Sequence, residues 1–230
     1  MKLLAFESSC ERASVALNLN GEIDVRWLDG HANHSEHMLA LVRSLLANAG
    51  LGVSALDAVA FGAGPGAFTG LRLACGLAQG LALGAGLGVI SVCSLAALAA
   101  QSPLPLALAA TDARMGEIYY GRYKIEQGRV IELSAPACCV PAALLPPPKE
   151  EGEWFGLGSA FAAHGEALAS VRAMLAGCDS LAVPSAEAVA RLAAARGEAG
   201  IVPAEQAVPL YVRDKVALTV AERLARGSKA

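Results

Sequence analysis

Residues 57–88 read DAVAFGAGPGAFTGLRLACGLAQGLALGAGLG. Ala58 to Phe61 is a short apolar run, the pattern of a buried strand. Gly62, Gly64 and Gly66 follow it, and Pro65 fixes one φ among residues that tolerate almost any. Thr69 then opens a long small-residue segment and is placed to cap it, its hydroxyl accepting from a first-turn N–H. The expectation is a strand, a tight turn and a helix from Thr69 to Gly84. Three readings of the turn compete. It could cradle a phosphate on backbone N–H groups at a helix N-terminus. It could be a dinucleotide fingerprint, or a close-packed turn that holds no ligand. Gly64 to Gly70 spaces its glycines G-x-G-x-x-x-G, one residue too long for the dinucleotide pattern, and no Lys follows as a P-loop requires. The rest of the chain has to decide.

Upstream, Leu3 to Phe6 is an apolar run that ends at Glu7-Ser8-Ser9. Val15, Leu17 and Leu19 alternate with polar or small residues, and so do Ile23, Val25 and Trp27. Asn20-Gly21 between them is a two-residue hairpin signal. Residues 2–28 therefore read as three strands of an antiparallel meander. A helix follows, with Ser35 as its expected cap. Met38, Leu41, Val42, Leu45 and Ala49 form its apolar stripe, while Leu39 and Leu46 lie off it and widen the face. Val89 to Val92 is a further strand, and Ser94 starts a short helix.

Downstream of Gln101-Ser102-Pro103 the layout begins again. Leu104 to Ala110 is an apolar run ending at Thr111-Asp112, Ile118 to Tyr123 is a second strand, Gln127-Gly128 turns, and Val130 to Leu133 returns. Trp154 to Leu157 enters a second glycine turn, and a helix is expected from there to about Ala169. A strand at Leu181 to Val183, a helix from Ser185 to about Arg196, a strand at Leu210 to Val212 and a last helix from Lys215 complete the reading. Two halves with the same order imply an internal duplication of an α/β unit. That layout fits the actin-like ATPase fold (ribonuclease H-like, ASKHA): two mixed-sheet subdomains, the second one reduced. The expected boundaries are 1–102, 103–212, and a C-terminal helix at 213–230 packing back on the first subdomain. Glu7 and Asp112, each at a first-strand end, would face the cleft between the halves.

Composition narrows the function. Of 230 residues 55% are hydrophobic and only 17% charged, which favours a packed globule over disorder. A net charge of −3 supplies no global attraction for nucleic acid or acidic membranes. The six cysteines show no C-x-x-C spacing and read as reduced small hydrophobes of a cytoplasmic protein. Leu73 to Val92 is nearly apolar enough to suggest a membrane span, but Gly84, Gly86 and Gly88 break it early. His31, His34 and His37 lack the third or fourth ligand that a zinc site needs, so no metal is assigned.

The residues then reach a known family. Gly64-Pro65-Gly66-Ala67-Phe68-Thr69-Gly70-Leu71-Arg72 resembles the signature of the TsaB family, also called YeaZ. His34-Ser35-Glu36, Asp112 to Tyr119, and Leu210-Tyr211-Val212-Arg213 are similar to its other motifs, in family order. The resemblance implies a bacterial non-catalytic scaffold for threonylcarbamoyl transfer to an adenosine of tRNAs that read codons starting with A. It implies a catalytic paralogue, TsaD, an ATPase, TsaE, and a homodimer when the partners are absent. ATP and metal belong to the partners, and tRNA is met mainly through the complex. One departure stands out: Glu7-Ser8-Ser9-Cys10-Glu11 looks more like the paralogue's E-T-S-C-D-E start. However, the paralogue's H-x-x-x-H metal pair has no counterpart in Ser91 to Leu98.

Two sets of candidate residues follow. The broad face of the first helix and the glycine stripe of the second suggest a helix-on-helix partner interface, the arrangement the family implies. Its residues are Met38, Leu39, Val42, Leu45, Leu46, Arg72, Gly76, Gln79, Gly80 and Leu83. Glu7, Ser8, Ser9, Asp112 and Arg114 form a candidate vestigial nucleotide cleft. The alternative function is a stand-alone actin-fold ATPase or phosphotransferase. Arg213, Lys215, Arg223, Arg226 and Lys229 read as a cationic finish to the last helix, a less favoured tRNA contact.

Overall fold

A computed structural model describes residues 1–28 and 34–213. Its core is a pair of five-stranded mixed sheets built on one plan. In the first, β1 (Lys2–Glu7) lies between β2 (Ala13–Leu19) and β4 (Ala58–Gly64), with β3 (Glu22–Leu28) and β5 (Gly88–Cys93) at the edges. In the second, β6 (Leu106–Asp112) takes the place of β1, flanked by β7 (Ile118–Glu126) and β9 (Trp154–Leu157), with β8 (Arg129–Cys139) and β10 (Gly177–Asp179) outermost. Each sheet thus has the order third, second, first, fourth, fifth, which is the actin-like duplication. The hairpins repeat as well. Asn20-Gly21 and Gln127-Gly128 both have positive φ at the two turn residues, as a two-residue turn with right-twisting strands requires. Asn18 Oδ1 accepts from Gly21 N at 2.7 Å and holds the first of them.

The helices make the layers. On one face of the first sheet lie α1 (His34–Asn48) and α2 (Phe68–Ala85), packed on Leu4, Phe6, Val59 and Phe61. The other face carries α3 (Ser94–Ala99) and α6 (Ala186–Arg196), with Leu3, Ala5, Ala58 and Ala60. Alternation along β1 and β4 sends neighbours to opposite faces, so both strands are buried twice. The second sheet presents Ala107, Ala109 and Tyr123 to the α3–α6 layer. Leu106, Leu108 and Ala110 point the other way, with α4 (Ala160–Ala163) and α5 (Ala169–Arg172) on that side. One apolar cluster therefore runs from sheet to sheet through α3 and α6.

Several expectations are corrected. α2 begins at Phe68 after Ala67, with no side-chain cap, so Thr69 lies inside the helix. α1 begins at His34, so Ser35 is likewise within it. The single helix expected from the second glycine turn to Ala169 is two short ones, because Gly165 and its neighbours interrupt it. The strand expected at 181–183 lies at Gly177–Asp179, paired in parallel with Phe155 to Leu157. No strand forms at 210–212, which pairs into neither sheet. The second subdomain also ends earlier than 212. α6 packs on β1, β2 and β4, Ser14 Oγ accepts from Ala186 N at 2.8 Å, and Val202 bridges Val89, so the chain returns to the first lobe near Ser185. The helix expected at 213–230 lies outside the described residues.

α2 stops at Gly86, which adopts the left-handed conformation and donates to the carbonyls of Ala82 and Leu83. Among the described residues no helix is long and apolar enough to cross a membrane. All six cysteines are free.

Candidate functional site

Between the lobes lies a cleft of about 590 Å³. Ser9, Glu11 and Arg12 from the first hairpin and Thr111, Asp112 and Arg114 from the second line its polar side. Ala162, Ala163, Val183 and Pro184 line its apolar side. Of the five candidate cleft residues, the structure brings Ser9, Asp112 and Arg114 to the cavity.

Glu7 and Ser8 are not there. Glu7 is 0% exposed and sits beneath the floor. Its carboxylate accepts from Ser9 N at 2.6 Å and from Ser94 Oγ at 2.9 Å, and Ser94 Oγ in turn accepts from Gly64 N at 3.2 Å. Burial pushes the Glu7 carboxyl above its usual range, against the pull of these donors. Ser8 Oγ donates to Gly70 O at 2.8 Å.

This buried pair decides the glycine turn. A Cβ on Gly62 would lie 1.9 Å from Glu7 Oε2, and one on Gly70 would lie 1.7 Å from Ser8 O. One on Gly66 would lie 2.4 Å from Ser9 O, while Ala67 N donates to that same oxygen at 2.7 Å. The glycines let the start of α2 close on the Glu7–Ser9 backbone. Among the three readings, close packing accounts for each of these positions.

On the other side of the cleft, Asp112 collects partners. Its backbone N donates to Ser159 Oγ at 3.0 Å, and Oδ1 accepts from Arg114 N at 3.0 Å and meets His164 Nε2 at 3.2 Å. Arg114 Nη1 lies 3.6 Å from Asp112 Oδ2, and Nη2 pairs with Glu11 across the mouth of the cleft. Asp112 and Arg114, both cleft candidates, pair with each other, and Glu11, not among the candidates, joins them. Its ion pair joins two hairpins separated by 103 residues, which no local pattern in the sequence signals.

The segment 204–213 forms a strap over the glycine turn. Ala207 O accepts from Gln79 Nε2 at 2.9 Å, and Leu210 N donates to Ala63 O at 2.7 Å. Arg72 Nε donates to Tyr211 Oη at 3.2 Å. Arg213 then crosses to the second lobe. It pairs with Glu117 Oε2 at 2.5 Å and donates to Ala113 O at 3.1 Å and Arg114 O at 3.3 Å. Arg213 is thus turned inward onto the second lobe, and Gln79 is engaged within the chain. The motif at 210–213 was legible as a motif; its work as a strap was not.

The candidate interface residues divide. Met38, Val42, Leu45 and Leu46 are buried against the first sheet, Leu46 at 6% exposure. They belong to the core of the isolated chain, so the breadth of the stripe on α1 reflects a deep seat on the sheet. Leu39, Arg72, Gly76, Gly80 and Leu83 face outward.

A two-lobed chain with this cleft belongs to the class that a family model for TsaD, tRNA N6-adenosine threonylcarbamoyltransferase, describes; that model matches residues 29–223. The tRNA threonylcarbamoyladenosine biosynthesis protein TsaB of Escherichia coli is 30% identical over 224 residues, covering 94% of this chain and 96% of that protein. TsaB of Haemophilus influenzae is 42% identical over 134 residues, 56% of each chain. The solved structure of YeaZ from Pseudomonas aeruginosa superposes with a TM-score of 0.82 at 37% identity, covering 91% of this chain and 99% of that one. A second Pseudomonas aeruginosa structure, described as similar to peptidase YEAZ, gives 0.83 at 37% identity, covering 92% and 99%. The chain belongs to the TsaB (YeaZ) family.

Proposed function

We propose that the chain is the accessory, non-catalytic subunit of a tRNA threonylcarbamoyladenosine-forming complex. It docks a TsaD-type catalytic paralogue and helps recruit a TsaE-type ATPase. ATP and metal are held by those partners, and tRNA is met through the assembly. Family membership supports the pathway, and one observation carries the docking role. Gly76, Gly80 and Gly84 stand on the outward side of α2, and a Cβ on any of them would meet nothing within 4 Å among the described residues. Glycine inside a helix costs about 0.5–1 kcal/mol relative to Ala. Among the described residues nothing packed against these glycines offsets that cost. A second helix lying close along the stripe would offset it, flanked by Leu83 at 61% and Phe68 at 40% exposure. The same face serves a homodimer when the partner is absent. The cleft supports an accessory reading too, since Glu11, Arg114 and Asp112 pair with one another where a stand-alone phosphotransferase would place its ligand.

The test is reconstitution. Purified TsaD-type and TsaE-type partners, tRNA, ATP and the threonylcarbamoyl donor are expected to yield modified tRNA only when this chain is added. The chain alone is expected to release no phosphate from ATP. Modification without it would overturn the scaffold reading, and ATP turnover by the chain alone would favour the phosphotransferase alternative.

A further inference from the structure

An unbroken run of contacts joins the outer face of α2 to the cleft. It starts at Arg72, whose guanidinium lies 3.7 Å from the centre of the Phe68 ring and bonds Tyr211 Oη. Tyr211 packs on Phe68 with ring centres 5.6 Å apart. Two residues on, Arg213 grips the turn at 113–117 through Glu117 and two carbonyls. Arg114, Met115 and Gly116 in that turn all have positive φ, a conformation that side-chain-bearing residues keep only when their surroundings fix it. Arg114 on the turn closes the cleft mouth against Glu11.

The strap is anchored at both ends, with a weak surface link between them. Its base is pinned by buried contacts: Cys75 Sγ lies 3.5 Å from Ala207 O, and Leu210 N bonds Ala63 O. Beyond Leu210 the Arg72–Tyr211 bond lies at the surface and individually holds little, whereas Arg213, its side chain 13% exposed, is held by Glu117 and two carbonyls. The link at Tyr211 can therefore part while the base stays put, and Arg213, two residues on, carries a shift of Tyr211 to the turn.

We propose that the strap couples docking on α2 to opening of the cleft: a partner carboxylate that draws Arg72 off Tyr211 loosens the grip of Arg213 on the turn and frees Arg114 from Glu11. A charge-assisted bond to an exposed guanidinium outcompetes a neutral phenol, which is why the trigger is an acidic group. The trigger rests on the docking reading above, whereas the coupling is a property of the chain alone.

Two cysteines report on it separately. Cys10 lines the cleft, and Cys75 lies under the base of the strap. Burial and the neighbouring Glu7 hold the Cys10 thiol up at about 11, so its baseline reactivity is low. The full chain is treated with iodoacetamide, and labelling of each cysteine is followed by mass spectrometry. Arg72→Ala, Arg213→Ala and Arg114→Ala are each expected to speed Cys10 labelling by about five-fold or more with Cys75 unchanged. Arg213→Lys, which keeps the charge, is expected to fall between Arg213→Ala and the parent. The coupling is overturned if only Arg114→Ala speeds Cys10. It is equally overturned if Cys10 and Cys75 speed up together in Arg213→Ala, for the strap then detaches as a whole. Failure of the docking reading would appear differently: the parent chain would not bind the TsaD-type partner, and the labelling pattern would stand.

Discussion

At Glu7 a carboxyl group is held without solvent by neighbours from the glycine turn, the end of β1 and the start of α3. Gly62 leaves the space for its Oε2, Ser94 and the Ser9 amide bond its oxygens, and Gly64 N ties Ser94 to the strand end. Because burial raises its folded-state pKa, the folded chain keeps a proton that the unfolded chain releases near the ordinary glutamate value. The stabilising contribution is therefore full below the unfolded pKa and is lost as pH rises through the folded one. Glu7→Gln imitates the protonated acid, with one oxygen accepting from Ser9 N and an amide donating toward Ser94. It is expected to be more stable than the parent at neutral pH, and to flatten the decline above the unfolded pKa in urea titrations across pH. A parent-like pH dependence in this variant would contradict the assignment. Gly70→Ala, which would drive a Cβ into Ser8 O, is expected to destabilise by about 3 kcal/mol, the upper range for overpacking. In the sequence Glu7 was visible as an acid at a strand end. Its burial was not, because the glycines that enclose it lie more than fifty residues away.

The helices show which part of an element a sequence discloses. Periodicity located α1, α2, α3 and α6, since each has an apolar stripe or a small-residue run at helical spacing. It did not locate the ends, where Ala67 rather than Thr69 precedes α2. Nor did it say how deeply a stripe is seated: Leu46 looked peripheral and is core, whereas Leu83 is open. The two leucines therefore make opposite forecasts. Leu46→Asp places a charge in the buried apolar cluster on that face of the first sheet and is expected to unfold the chain. Leu83→Asp is expected to leave the circular dichroism and melting temperature close to the parent while lowering affinity for the TsaD-type partner in calorimetry. Gly76→Ala and Gly80→Ala sharpen the contrast, because each should stabilise the isolated chain by about 0.5–1 kcal/mol. Each should also hold a docked helix farther away and weaken binding. Stabilisation without any loss of binding would remove the close-approach role of the stripe.

At the scale of the molecule, the duplicated sheets were legible because each begins with hairpins, whose signals are local. The return of α6 to the first lobe was not legible, for nothing near Ser185 names Ser14 as its neighbour. That return has an energetic consequence. Leu95, Leu98, Val189 and Leu192 fill one apolar layer that both sheets cover, so neither lobe can lose its packing without exposing the other's inner face. The two tryptophans divide conveniently: Trp27 is on β3 of the first sheet, and Trp154 is on β9 of the second, buried with its Nε1 bonded to Pro148 O at 3.0 Å. In Trp27→Phe the remaining fluorescence follows the second lobe, and in Trp154→Phe it follows the first. Within each variant, urea unfolding followed by fluorescence and by far-ultraviolet circular dichroism is expected to share one midpoint, as a single cooperative unit requires. Comparison inside each variant removes the stability lost by replacing Trp154 itself. If fluorescence and circular dichroism separate in either variant, the lobes unfold independently and the shared layer is not what holds them together. If they coincide, motion between the lobes has to be confined to the cleft mouth, where the Glu11–Arg114 pair and the far end of the strap can part without disturbing that layer.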